Sequence, residues 1–309
     1  MLHKKSTYKI AFRFLILCSV LYVGFVSVHK IQSFIFGKSE AYFDVCMIKK
    51  WTEAHCPCLP IEIEDKSMFA KLDLGFRGDI SMISSELDQI KEKKFLGSQT
   101  MYNFRGDAND KKLFRIPKIR ISNRLINDSC VQEATQSNEN QTIFAQEGYQ
   151  PVPASAKIGW KIFQNLNLLL DLKNEKIAFC DSLSTLQKQG YATEHFVQAP
   201  LIIERGLIEV IVDTNIGSLR CILDTGSTVN ILNRDNEKNK SMEELLWSPE
   251  NYLTVTTFQV NQQEFGPITF RQIPVQMPIH IDAILGMDFF SEHVVFLDFS
   301  HNLVYFVKM

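Results

Sequence analysis

The sequence predicts an all-β protein of two lobes related by internal duplication, preceded by an N-terminal transmembrane helix. Three observations carry that expectation. Apolar and polar residues alternate with the period of two that sets successive side chains on opposite faces of a strand, as in Pro60–Ile63, Pro200–Ile203, and Leu207–Val212 running into Leu219–Leu223. An apolar run breaks twice at an Asp-x-Gly turn, at Leu72-Asp73-Leu74-Gly75 and again at Leu223-Asp224-Thr225-Gly226. The chain also resembles itself. Residues 157–163 and 168–179 superpose on its end without a gap: Gly159 falls on Gly286, Phe163 on Phe290, Leu170-Asp171 on Leu297-Asp298 and Phe179 on Phe306.

A chain of 309 residues has room for an anchor and two domains of ordinary size. With 33 basic and 35 acidic residues it shows no nucleic-acid footprint, and that class is set aside. Its 23 Phe and 45% hydrophobic content exclude a disordered protein.

In chain order, Lys4, Lys5, Lys9 and Arg13 precede an uncharged run from Phe14 to Val28. Adding Ile10-Ala11-Phe12, with Arg13 snorkelling, brings the segment to about 20 residues, enough to span a bilayer. A cleaved signal would need small residues three and one before the cut, and neither Ser27 nor Gly37 offers such a pair. Leu17 is too large for the position before a lipoprotein-type Cys18. Residues 1–40 therefore read as a cytoplasmic tail and signal anchor, with the basic excess keeping the N-terminus inside and the body on the extracytoplasmic side.

Residues 41–58 read as a Cys-bearing stalk, 59–182 as the first lobe, 183–199 as a polar linker and 200–309 as the second lobe. Six of the seven Cys follow the span, where disulfides can form, and a bridge from Cys46 to Cys56 or Cys58 is the simplest pairing. His55-Cys56-Pro57-Cys58 suggests a metal, but no second ligand pair follows at the required spacing, and no metal or other cofactor is expected. Cys221 reads as a small buried hydrophobe. Short helices are expected over Ser84–Ile90 and Ser241–Leu246. Asn127–Gln150 reads as an inserted surface loop, with sequons at Asn127, Asn140 and Asn239.

The second Asp turn continues as Leu223-Asp224-Thr225-Gly226-Ser227, and a later Ile284-Leu285-Gly286 follows in the same lobe. These linked motifs resemble the aspartic peptidase superfamily of retropepsins and pepsins, in which an apolar-apolar-Gly segment passes behind the catalytic turn. The first copy, Asp73-Leu74-Gly75-Phe76-Arg77-Gly78, is similar to an Asp-Thr-Gly-Phe-x-Gly form found in some microbial members. The resemblance implies two retropepsin-like β-barrel lobes, the first degenerate, and a catalytic pair formed by Asp73 and Asp224. It also implies supporting roles for Gly75, Thr225, Gly226 and Ser227, and crossing glycines at Gly159 and Gly286. Two positions depart from the family pattern. Leu74 lacks the hydroxyl that braces one turn to the other, and Lys157 stands two before the crossing glycine, where the residue is usually apolar.

Peptide hydrolysis without metal or covalent intermediate needs a water deprotonated as it attacks and a carbonyl oxygen protonated as it receives charge. Two adjacent carboxylates sharing one proton meet both needs, because they cannot both ionise and their acidities separate. Ser227 can donate to Asp224 and Phe76 can donate nothing to Asp73, so Asp224 is expected to be the more acidic member. The implied substrate is a peptide or protein, held extended beneath a hairpin flap. Met101–Phe114, turning near Gly106–Asp110, is the lobe-one candidate, and Tyr252–Phe270, turning near Asn261–Gln263, is its lobe-two equivalent.

Two readings stand beside the monomeric peptidase: a protease-like module that binds peptides without cleaving them, and a homodimer using only Asp224 of each chain. Asp171 and Asp298 read as turn or surface acids, Asp79 and Asp288 as non-catalytic, and His195 and His280 as solvated or core residues.

Overall fold

A computed structural model of the chain describes residues 43–47, 49–50, 56–102, 108–134, 154–234, 248–275 and 280–308. All of them belong to one compact unit, Phe43–Met309. The expected anchor over 1–40, the sequons at Asn140 and Asn239, the helix over Ser241–Leu246 and the tip of the lobe-one hairpin lie outside the described residues. Among the described residues, no helix is long and apolar enough to cross a membrane.

Three sheets account for the architecture. An eight-stranded sheet builds lobe one, in the order Lys49–Lys50, Pro57–Ile63, Lys66–Leu72, Ala156–Ile158, Ile80–Ile83, Arg124–Ala134, Ala108–Ile121, Lys94–Tyr102. Pro57–Ile63 also pairs with Ala108–Ile121, through Ile61↔Ile121, and so closes the sheet on itself. A nine-stranded sheet builds lobe two, its centre running Ile231–Asn233, Ala283–Leu285, Gly217–Leu223, Leu207–Thr214.

The third sheet belongs to both lobes. Its six strands follow the order Phe43–Met47, Lys176–Cys180, Asn167–Asp171, His293–Asp298, Leu303–Lys308, Val197–Pro200. The central pair is antiparallel, with Leu168↔Leu297, Leu169↔Phe296 and Leu170↔Val295. In the self-superposition Leu169 corresponds to Phe296, so each copy pairs with its own counterpart across a pseudo-twofold axis. One face packs Leu169, Ala178, Cys180, Val294, Phe296 and Tyr305 against Leu186 of the helix Leu183–Lys188. On the lobe side Phe163 stacks on Phe179 at 5.4 Å, and Phe289 meets Phe306 edge-on at 5.7 Å. Burying each such ring contributes on the order of 1.5–3 kcal/mol.

Several expectations are corrected. Residues 43–47 are not a stalk: they form the outer strand beside Lys176–Cys180, with Asp44↔Phe179. The expected linker is likewise structured, through the helix Leu183–Lys188 and the strand Val197–Pro200 at the opposite edge, with Val197↔Phe306. The two edge strands are counterparts, because Phe179 and Phe306 are. Asn127 lies within the strand Arg124–Ala134, not in a loop. No disulfide ties the stalk: Cys46 sits on the shared sheet, Cys56 and Cys58 belong to lobe one, and all six cysteines of the described residues are thiols. Asp171 and Asp298 are turn acids as expected, but buried ones, accepting from Asn174 Nδ2 and from the His301 backbone N–H respectively.

Candidate active site

Each Asp turn is set by the same local pattern. In lobe two the strand Gly217–Leu223 runs parallel to Ala283–Leu285, with Leu223↔Leu285. The Asp224 N–H donates to Leu285 O at 3.0 Å, and Ser227 N–H closes the turn on Asp224 O at 3.2 Å. In lobe one Lys66–Leu72 runs parallel to Ala156–Ile158. There the Asp73 N–H donates to Ile158 O at 2.9 Å, and Phe76 N–H closes on Asp73 O at 3.1 Å. The duplication read from the sequence thus extends to individual backbone hydrogen bonds.

The crossing glycines are where the repeat placed them. A Cβ on Gly286 would lie 2.2 Å from Val229 O, and one on Gly159 would lie 2.2 Å from Gly78 O. Only a residue without a side chain lets the two backbones pass this closely. Asn230, which the sequence reading did not single out, secures the lobe-two crossing: its Oδ1 accepts from Gly286 N–H at 2.9 Å and its Nδ2 donates to Thr269 O at 3.2 Å. An Asn inside an otherwise apolar Val-x-Ile-Leu run was the available signal.

The two turns face one another. A Cβ on Gly75 would meet Asp224 Cγ at 2.4 Å, and one on Gly226 would meet Asp73 Cγ at 2.4 Å, so each glycine makes room for the opposite carboxylate. The carboxyl groups of Asp73 and Asp224 lie close enough for each to shift the acidity of the other. Asp224 Oδ1 accepts from Gly226 N–H at 2.8 Å and Gly75 N–H at 3.2 Å.

One half of the inter-turn brace is intact. Fully buried Thr225 donates its hydroxyl to Leu72 O at 2.9 Å and accepts from Leu74 N–H at 3.2 Å. Leu74, also fully buried, supplies an apolar side chain where the reciprocal hydroxyl would stand. Ser227 does not face Asp224 as expected: its Oγ donates to Val229 O at 2.8 Å, inside its own turn.

The acidities are the reverse of the sequence expectation. Burial works against the charge of Asp73, yet the Lys157 and Lys71 ammoniums, aided by hydrogen bonds from Asp224 and Lys157, hold it below the usual carboxylate range. Lys157 Nζ stands 3.1 Å from Asp73 Oδ2. Burial and the negative charge of Asp73 push Asp224 up, to about 7, against the opposing pull of Gly226 N–H and Lys71. The Ser227 argument fails because the decisive groups are cations on the neighbouring lobe-one strands, which local sequence does not reveal.

Lys71 Nζ donates to Gly226 O at 3.2 Å, and Cys56 Sγ lies 3.8 Å from the same oxygen. Burial works against the Lys71 ammonium, but its acidic surroundings more than restore it. Burial pushes the Cys56 thiol up, against the pull of the Lys71 ammonium.

The remaining candidates are accounted for elsewhere. Asp79 Oδ2 accepts from Cys130 N–H at 3.1 Å, and Asp288 lies in the first turn of the short helix Met287–Phe290. His195 and His280 are exposed beside Glu194 and Asp282. Among the described residues, no group of three or more His, Cys, Asp or Glu is arranged to hold a metal. The segments read as flaps fall in the lobe-one hairpin Lys94–Tyr102 with Ala108–Ile121 and the lobe-two hairpin Phe258–Val260 with Gln263–Glu264.

The arrangement is an all-β, aspartic-protease-like fold with an Asp turn from each lobe. No family model matches the chain, and no curated protein matches it. Among solved structures, the crystal structure of basic 7S globulin from soybean is similar, with a TM-score of 0.56 and 11% identity over 87% of this chain and 95% of that one. The likeness is one of fold. That protein is named as a globulin and not as a peptidase.

Proposed function

We propose that this protein is an aspartic endopeptidase working through an intramolecular Asp73–Asp224 pair. The observation that carries the reading is the meeting of the two Asp turns, each carboxylate packed against the glycine of the opposite turn, with Lys157 Nζ 3.1 Å from Asp73 Oδ2 on one side only. In the proposed reaction the Asp73 carboxylate takes a proton from a water as its oxygen attacks the scissile carbonyl carbon. Asp224 gives its proton to the carbonyl oxygen. The resulting gem-diol then collapses, the C–N bond breaks, and the proton gained by Asp73 passes to the leaving amine while a diol proton returns to Asp224.

The pairing of both turns within one chain supports a monomer over a homodimer built on Asp224 alone. The proposal also keeps residues 1–40 as a membrane anchor with the body on the extracytoplasmic side, on the strength of the basic residues ahead of the apolar run. A second reading, a peptide-binding module without turnover, is favoured by one observation: Lys157 bonds directly to Asp73 where lobe two has Ile284.

Incubating the purified chain with a peptide library decides between them. Pepstatin-sensitive cleavage, abolished in Asp224→Asn, supports the peptidase; binding of peptides that emerge intact supports the module.

A further inference from the structure

The two lobes differ in charge at one matched pair of positions behind the Asp turns. In lobe two Ile222 pairs with Ile284 behind the Asp224 turn, and both are buried. In lobe one the same register pairs Lys71 with Lys157 behind the Asp73 turn. Two apolar side chains in one half are thus replaced by two ammoniums in the other.

Both lysines are held in place. Lys157 Nζ lies 3.1 Å from Asp73 Oδ2 and 5.7 Å from the centre of the Phe76 ring, so a carboxylate and an aromatic face fix the ammonium together. Lys71 reaches under the opposite turn to Gly226 O, the glycine that packs against Asp73. The groups facing Asp73 are Lys71 from strand Lys66–Leu72, Lys157 from strand Ala156–Ile158 and Asp224 from the opposite turn; the Cys56 thiol at the start of lobe one faces Lys71.

We propose that Lys157 is a positioning residue that makes Asp73 the anion of the resting pair, so that the shared proton sits on Asp224 and Asp73 is the free base before substrate is attacked. This rests on the peptidase reading, in which the location of that proton matters. A symmetric pair can place its single proton on either carboxylate, whereas a cation bonded to one of them breaks the degeneracy. The physical consequence is a one-proton state that survives to lower pH, because Asp73 resists protonation, and to near-neutral pH, because the fixed negative charge of Asp73 retains the proton on Asp224. Phe76 acquires a role in the same device: its ring seats the Lys157 ammonium.

The test is a carbon-13 NMR titration of the full chain labelled at the Asp side-chain carboxyls, with assignments from Asp73→Asn and Asp224→Asn. In the wild type, Asp224 should titrate near neutrality while Asp73 stays ionised to below the ordinary carboxylate range. In Lys157→Ile, which installs the lobe-two residue, the Asp73 midpoint should rise by about one to three pH units, the range commanded by an adjacent opposite charge. Lys157→Arg should keep the wild-type pattern, and Lys157→Met serves if the Ile variant does not fold. The acid limb of the pH profile for kcat/KM should move with the Asp73 midpoint. An Asp73 midpoint unmoved in Lys157→Ile and Lys157→Met overturns the proposal, as does an Asp73 that titrates together with Asp224 in the wild type. If the titrations behave as expected but no peptide is cleaved, the peptidase reading fails while the charge arrangement stands.

Discussion

At the scale of single residues, the half-brace at Thr225 and the buried charge of Asp224 make separable predictions. Thr225→Val leaves both Leu72 O and Leu74 N–H without their partner in a fully buried site. The expected loss is about 1–3 kcal/mol, read from urea unfolding, while Thr225→Ser should recover most of it. The carboxylate pair predicts how stability varies with pH. Asp224 is raised from 3.8 to about 7 on folding, so between those values the native state holds a proton that the unfolded chain has released, and its contribution is lost as pH rises. Asp73 is lowered, so its contribution is lost as pH falls below the ordinary carboxylate range. Asp224→Asn should therefore gain stability relative to wild type across that window, by at most about 1.4 kcal/mol per pH unit, and stop gaining above it. A difference independent of pH would show that the acidity of Asp224 is not raised on folding.

At the scale of elements, the crossing segments and the shared sheet carry the structure. Gly286→Ala or Gly159→Ala would drive a methyl into a backbone carbonyl 2.2 Å away and should destabilise by about 3 kcal/mol or more, seen as a large fall in Tm. Leu169→Ala, at the centre of the strand pair on the pseudo-twofold axis, should cost about 2–5 kcal/mol. The outer strand Phe43–Met47 gives a direct check on the corrected boundary, since ladder-bonded amides there should exchange slowly with solvent. Rapid exchange throughout 43–47 would restore the stalk. These elements also show what the sequence could reveal. The Asp turns and crossing glycines were legible because their geometry admits few residue types. The edge strands 43–47 and 197–200 were not, because a few residues with one face packed carry little periodic signal, and nearby cysteines suggested a stalk. Lys157 was visible as a departure from pattern, but its partner was not. Superposing Lys71 and Lys157 on Ile222 and Ile284 would have marked both as an ionic substitution in one half of the duplicated site.

At the scale of the whole molecule, the two lobes are symmetric in their turn hydrogen bonds and asymmetric in their charges. Backbone bonds from Asp73 to Ile158 and from Asp224 to Leu285 are equivalent, as are the strands that bring them. The brace survives in one direction only, and the cations lie on one side only. The lobes are joined by the six-stranded sheet, by the Trp160 indole donating to Gly206 O at 2.8 Å, and by Trp160 stacking on Phe299 at 5.6 Å. The most direct measurement of the central claim is peptide cleavage by the wild-type chain, by Asp73→Asn, by Asp224→Asn, and by an equal mixture of the two variants. An intramolecular pair predicts that each variant loses on the order of 10²–10⁴-fold and that mixing restores nothing. Full activity in Asp73→Asn, or rescue on mixing, would contradict it.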